Sequence, residues 1–166
     1  MEDKNVLREF KIKGLMMDPV TNSPIVILQD IEETTLLPIW VDIFQANAIA
    51  LQIERIDPPR PMTHDLLKNA IFHLGGQIEK IVLTELRKST FFAVIHLHVD
   101  GNPTLLDSRP SDAIALALRT DAPIFVTEEV IAGSRSLTLD QGKLDPENVR
   151  DWLENLNPED LGEYKM

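Results

Sequence analysis

The hydrophobic pattern changes period several times along the chain, and each change predicts an element. In "LREFKIKGL", Phe10 and Ile12 alternate with Lys11 and Lys13, the period of a half-buried strand. Asp18, Pro19, Asn22, Ser23 and Pro24 then supply turn chemistry. "IVILQD" is continuously apolar at its start, which suits a strand buried on both faces. "TLLPIWV" reads as a third strand, with Pro38 at an edge or bulge because it has no N–H to donate. Together these predict an antiparallel meander.

The period then becomes helical. From Phe44 to Glu54, Ala46, Ile49, Ala50 and Ile53 fall on one face, and Phe44, Ala48 and Leu51 widen it, which predicts a mostly buried helix. "DPPRP" breaks the chain. "MTHDLLKNAIFHLGG" predicts a second helix with Thr63 as N-cap, a Leu67, Ala70, Ile71, Leu74 stripe, and Gly75–Gly76 at its end. "IEKIVLTEL" and "TFFAVIHLHV" predict a hairpin about "RKS", and "TLLDS" a short strand. "PSDAIALALR" predicts a third helix capped by Ser111, and "PIFV" a last strand. Beyond Ala132 the pattern is linker-like until "ENVRDWLENL", an amphipathic helix with Val149, Trp152, Leu153 and Leu156. Trp152 and Tyr164 predict that this tail docks on its own body or on a partner chain.

The expected architecture is a compact α+β domain over 1–132, with a linker and acidic helical tail over 133–166. Its mixed, largely antiparallel sheet would pack against two or three Ala/Leu-rich helices. "NAIALQ" and "DAIALA" each follow an apolar run, so two strand-to-helix units look alike. Chance likeness between Ala-rich helices is the simpler reading, since the alignment needs a four-residue gap; a pseudo-symmetric pair is the alternative.

Composition narrows the function. The chain of 166 residues is 43% hydrophobic and contains no Cys, which excludes disulfides, thiol nucleophiles and Cys-based metal sites. It has no apolar run long enough for a membrane span, and its charged start lacks a signal-peptide core, so a cytoplasmic location without membrane partners is expected. The net charge of -11 argues against simple coating of nucleic acid, but not against a nuclease whose carboxylates hold a cation.

Two polar clusters stand at helix starts. Arg60, Thr63, His64 and Asp65 suit an anion or metal site, or else Thr63 caps, Asp65 complements the dipole and His64 is a surface residue. Adjacent helix positions face different ways, so His64 and Asp65 would not grip one ion. Asp107, Arg109, Ser111, Asp112 and Arg119 form the second cluster. Paired carboxylates suit a hard cation and paired Arg side chains suit a phosphate. An internal ion-pair network is the equal alternative. His96 and His98 share one strand face without a third ligand, so an exposed or half-exposed sheet face is expected there.

At "LPIWV", "PPRPMTHDLL" and "DSRPSDAIALALR" the sequence resembles the bifunctional nuclease family of bacterial and plant domains, in order, over Leu7–Ala132. The resemblance implies an α+β domain that commonly self-associates, as a dimer or higher homo-oligomer. For some members it implies hydrolysis of RNA and DNA with a divalent metal, here Mg or Mn. Its motif residues are Arg60, Thr63, His64, Asp65, Asp107, Arg109, Pro110, Ser111, Asp112 and Arg119. The roles expected on chemical grounds are Asp107 and Asp112 as metal ligands, with His64 as general base beside Asp65. Arg60 and Arg109 would be phosphate clamps, with Thr63, Ser111 and Arg119 also on the substrate. Related sequences usually carry Gly where Asp42 stands and Glu where Gln45 stands, which removes one acid and adds another nearby. The rival expectation is a non-catalytic, self-associating module of the same fold.

Overall fold

The computed structural model describes residues 6–139 and 146–155. It contains β1 (Leu7–Met17), β2 (Pro24–Asp30), β3 (Thr35–Trp40), α1 (Ile43–Ile53), α2 (Thr63–His73), β4 (Gly76–Arg87) and β5 (Thr90–Val99). There follow β6 (Asn102–Ser108), α3 (Pro110–Thr120), β7 (Ile124–Thr127), α4 (Glu128–Gly133), β8 (Leu137–Thr138) and α5 (Pro146–Glu154). The strands make one sheet in the order β6-β5-β4-β7-β1-β2-β3-β8. All neighbours are antiparallel except β4 and β7. The α+β class read from the sequence is the observed class.

Two tight hairpins set the register of β4, β5 and β6. Lys88 and Ser89 have φ of 49° and 60°, and Asp100 and Gly101 have φ of 50° and 80°. Two central residues with positive φ give a turn whose twist matches the strands. The sheet order also contains a repeat. β1-β2-β3 is a meander followed by α1, and β4-β5-β6 is a meander followed by α3. The two triplets lie in reversed order with β7 between them. The N-caps Asp42 (φ -72°, ψ 153°) and Arg109 (φ -71°, ψ 146°) have nearly the same backbone conformation. The twin phrases are therefore a pseudo-symmetric pair packed on each other, and the reading as chance is corrected. The four-residue difference falls at the strand ends and in the first helical turn, where length is absorbed without moving the core.

One face of the sheet carries the main core, with Phe10, Leu28, Leu37, Ile39, Ile81, Leu83 and Ile95 beneath Ile49, Ile114 and Leu116 of the helices. On the other face Ile25, Ile27, Leu36 and Trp40 form a smaller cluster with Leu139, Trp152 and Leu153. The Trp152 Nε1–H donates to the Arg135 carbonyl at 2.7 Å. The tail helix therefore docks on its own body. The side chain of Val149, together with Leu156 and Tyr164, lies outside the described residues. The sheet also continues past Ala132, since β8 pairs with β3 at Thr35 and Leu36. That pairing stops short of Pro38, which leaves the proline no ladder on that side.

The helices depart from expectation in two ways. α1 is not mostly buried: Phe44 is 82% exposed, and Ile43 and Ile53 are exposed too. On α2, Leu67, Ala70 and Leu74 of the expected stripe are exposed, and His64 alone is buried. α3 lies between these two helices and takes the central place on the sheet, so their outer surfaces are uncovered in a single chain. The caps also differ. Met62 rather than Thr63 is the N-cap of α2, and the Asp65 carboxylate accepts its N–H at 2.9 Å. Arg109 rather than Ser111 is the N-cap of α3, because Pro110 suits the first helical position, where no N–H is needed.

At one junction glycine is required twice. Gly75 sits at φ 84° after the last turn of α2. A Cβ at Gly76 would lie 2.7 Å from Ile71 Cγ2 and 2.9 Å from the Ile71 carbonyl oxygen. The helix consequently turns directly into β4.

Candidate functional site

The two polar motifs meet through α3. His64 Nε2 lies 2.8 Å from Asp112 Oδ1, and Arg109 donates Nε–H to Asp112 Oδ2 at 2.8 Å. Arg109 Nη1 is also 3.7 Å from Asp42 Oδ2 at the start of α1. One helical turn after Ala115, Arg119 donates Nε–H to Asp65 Oδ1 at 2.7 Å, Nη1 to the Ala115 carbonyl at 2.9 Å and Nη2 to the Ala48 carbonyl at 3.0 Å. Adjacent His64 and Asp65 thus reach two different points of α3, as helix geometry requires. His64 is buried, not a surface residue.

The residues divide by exposure. The Arg119 side chain is 3% exposed and Ser111 is 1% exposed, so both are largely enclosed by the chain. All three Arg119 nitrogens have acceptors within the chain, and Arg119 also borders a second groove with Lys68, Asn69 and Phe72. Arg60 and Thr63 are exposed near the start of α2, and neither makes a hydrogen bond or ion pair among the described residues. Arg109 and Asp107 are accessible and line a groove of about 480 Å³ with Asp112 and the apolar Leu67, Phe91 and Leu106. Asp107 lies opposite Val94 on β6 and makes no hydrogen bond or ion pair among the described residues. The two sequence clusters therefore converge in part: His64, Arg109 and Asp112 touch, Asp107 shares their groove, and Asp65 pairs separately with Arg119.

The expected cation at Asp107 and Asp112 does not suit this arrangement. His64 and Arg109 already occupy both Asp112 oxygens. Among the described residues no group of three His, Asp or Glu is placed to hold a metal. Gln45 lies half-buried in α1, and its Oε1 has no partner among the described residues. His96 and His98 are half-exposed on the sheet face, as expected, with His98 Nε2 2.8 Å from Glu79.

Three carboxylates are held below their ordinary range. The hydrogen bond from His64 lowers Asp112 most; burial opposes it, and Arg109 adds to the lowering. Burial would raise Asp65, but the Met62 N–H and the Arg119 guanidinium outweigh it. Asp30 was not anticipated from the sequence. Burial again pushes it up, and the Thr34 hydroxyl, the Thr35 and Thr34 N–H groups and Arg8 overcome that. The only sequence signal for it is the cluster of Asp30, Thr34 and Thr35 around a turn, which suits side-chain-to-backbone bonding.

Their linkage has a definite sign. With each carboxyl lowered in the folded state, its stabilisation is complete above the unfolded value of about 3.9 and is lost as pH falls through the folded value. Urea midpoints are therefore expected to hold steady above about pH 5 and to fall below about pH 4. Asp30→Asn should lower the midpoint at pH 7 and flatten the acid limb. Equal pH dependence in variant and wild type would show that Asp30 does not contribute.

The fold and the carboxylate–His–Arg cluster define an α+β domain with a groove beside three helices that side-chain contacts join. A family model, the bifunctional nuclease domain, matches residues 26–137, and the chain belongs to this family. An uncharacterised protein of Mycobacterium tuberculosis is 32% identical over 162 residues, covering 92% of this chain and 97% of that protein. Bifunctional nuclease 2 of Arabidopsis thaliana is 26% identical over 134 residues, 79% of this chain and 41% of the plant protein. Bifunctional nuclease 1 of Oryza sativa subsp. indica is 26% identical over 118 residues, 69% of this chain and 36% of that protein. Among the described residues no helix is long and apolar enough to cross a membrane.

Proposed function

We propose that this domain is a nuclease-like phosphodiester hydrolase acting on RNA or DNA, with its working groups at the mouth of the β6–α3 groove. The observation that carries this reading is the accessible guanidinium of Arg109 on a groove whose lining residues include Asp107, near the end of the edge strand β6. Arg109 clamps a phosphate and offsets the charge that grows on its non-bridging oxygens. Asp107 accepts the proton of the attacking water or 2′-hydroxyl as its oxygen bonds to phosphorus; the bond to the leaving oxygen breaks as that oxygen is protonated from solvent. Asp112 and His64 stand behind Arg109 and hold it. His64 has its Nε2 committed to Asp112, so it positions rather than acting as the base. Arg60 and Thr63 extend the surface at the start of α2. No step runs through a divalent cation.

The test is cleavage of fluorescent single-stranded RNA and duplex DNA by highly purified protein in Mg²⁺, Mn²⁺ or EDTA, beside Asp107→Asn. Cleavage that falls at least tenfold in the variant supports the assignment, and the EDTA arm shows whether a cation assists. No cleavage, or equal cleavage in both proteins, removes it.

Asp42 gives a gentler check. Its exposed carboxylate competes for Arg109. Asp42→Gly should tighten phosphate or RNA binding by about two- to fivefold, the range of an exposed ion pair. Unchanged affinity in a fluorescence titration would show that Arg109 is not the clamp.

A non-catalytic, self-associating module is the second reading. One observation favours it: all four oxygens of Asp65 and Asp112 are already engaged within the chain.

A further inference from the structure

We propose that the open edge of the sheet, β6, pairs antiparallel with β6 of a second copy, centred on Leu106, and so closes the groove beside Arg109. The hairpin fixes which way the edge faces. Asp100 and Gly101 form a two-residue turn, so Val99 and Asn102 are a hydrogen-bonded pair and the pairs alternate from there. Asn102, Thr104, Leu106 and Ser108 spend their backbone groups on β5. Pro103, Leu105 and Asp107 point theirs outward. Pro103 fits this phase, since its missing N–H falls on the free side.

Among the described residues, that leaves the N–H and C=O groups of Leu105 and Asp107 without a partner, as a self-complementary pair. In an antiparallel partner related by a two-fold axis through Leu106, Leu105 of one copy meets Asp107 of the other in both directions, and four backbone hydrogen bonds form. Leu106 then meets Leu106 on the helix side of the sheet. That side is where Leu106 shares the groove with Leu67. Leu105 is 66% exposed and Leu106 43% exposed in the single chain.

A second copy is the occupant for two reasons. The edge is lightly guarded: Pro103 near its start and Asp107 near its end, with no Lys or Arg and no bulge in its pairing with β5. The other end of the sheet, by contrast, closes with a two-residue strand. Moreover, in a chain of net charge -11 the stretch Asn102–Leu106 carries no charge, so two acidic copies approach here with least repulsion. Symmetric, self-matching contacts are the commonest form of closed dimer. The proposal does not depend on the cleavage reading, and its test needs no activity.

The experiment is sedimentation and hydrogen exchange on the full chain. The wild type is expected to be dimeric at micromolar concentration, with slowly exchanging amides at Leu105 and Asp107. Leu105→Pro removes one outward N–H without touching a bond to β5, and Leu106→Lys places charges at the axis. Each should weaken the dimer at least a hundredfold and release the Asp107 amide, with the far-ultraviolet spectrum of the folded chain retained. Phe72→Ser, on the outer surface of α2, should leave the dimer intact. A monomeric wild type, fast exchange at both amides in a dimer, or a dimer lost through Phe72→Ser but not Leu105→Pro would overturn the assignment. If Leu105→Pro fails to fold, Leu106→Lys and the exchange data decide alone.

Discussion

Arg119→Ala is expected to cost the chain about 3–5 kcal/mol, the penalty for breaking a buried ion pair from one side. At about 2–4 °C per kcal/mol for a domain of this size, the melting temperature should drop by roughly 6–20 °C. The reason is geometric. The guanidinium joins three helices at once, with Asp65 on α2, the Ala48 carbonyl on α1 and the Ala115 carbonyl on its own helix. Without it, a partly buried carboxylate and the Ala48 carbonyl lose their donor. Arg119→Lys should recover only part of the loss, because one ammonium cannot reproduce the planar fork. Pairing Arg119→Met with Asp65→Leu should recover more, since no charge is then stranded. A loss below about 1 kcal/mol in thermal and urea unfolding would mean that α2 is held by other contacts.

Arg109→Ala should behave in the opposite way. Removing an electrostatic clamp lowers turnover about 10²–10³-fold. Arg109 is partly exposed, and its ion pairs with Asp112 and Asp42 are screened. Stability should therefore change by no more than about 1 kcal/mol. Measured together, cleavage and melting temperature separate the two readings of this domain. A silent melting curve with lost cleavage supports the hydrolase. A large fall in stability with cleavage unchanged would assign Arg109 to the scaffold.

The polar motifs illustrate what a linear reading can and cannot reach. His64, Asp65, Arg109, Asp112 and Arg119 were all legible as chemistry-bearing residues, because charged side chains flanking an apolar helix must find partners. Which partner each finds was not legible. Asp65 and Asp112 look alike in sequence, yet Asp65 anchors a buried Arg and Asp112 faces a groove. That choice depends on α2 crossing α3 between Asp112 and Arg119, a packing fact without a local signature. Asp107 lies exposed beside the groove because β6 is the edge strand.

The local code determined a good deal on its own. Alternation in "LREFKIKGL", the apolar "IVIL", the glycines after α2 and the prolines around Arg60 act within a few residues, and period and turn chemistry are local properties. Strand order, the nesting of the twin helices and the burial of α1 and α2 were decided by the tertiary structure. α1 shows why: its pattern is apolar nearly all round, which signals burial somewhere. Among the described helices α3 takes the central place on the sheet, with most of its residues buried, so α1 keeps an uncovered face. Hydrophobic burial is non-directional, so a sequence states how much surface must leave water but not which neighbour will cover it.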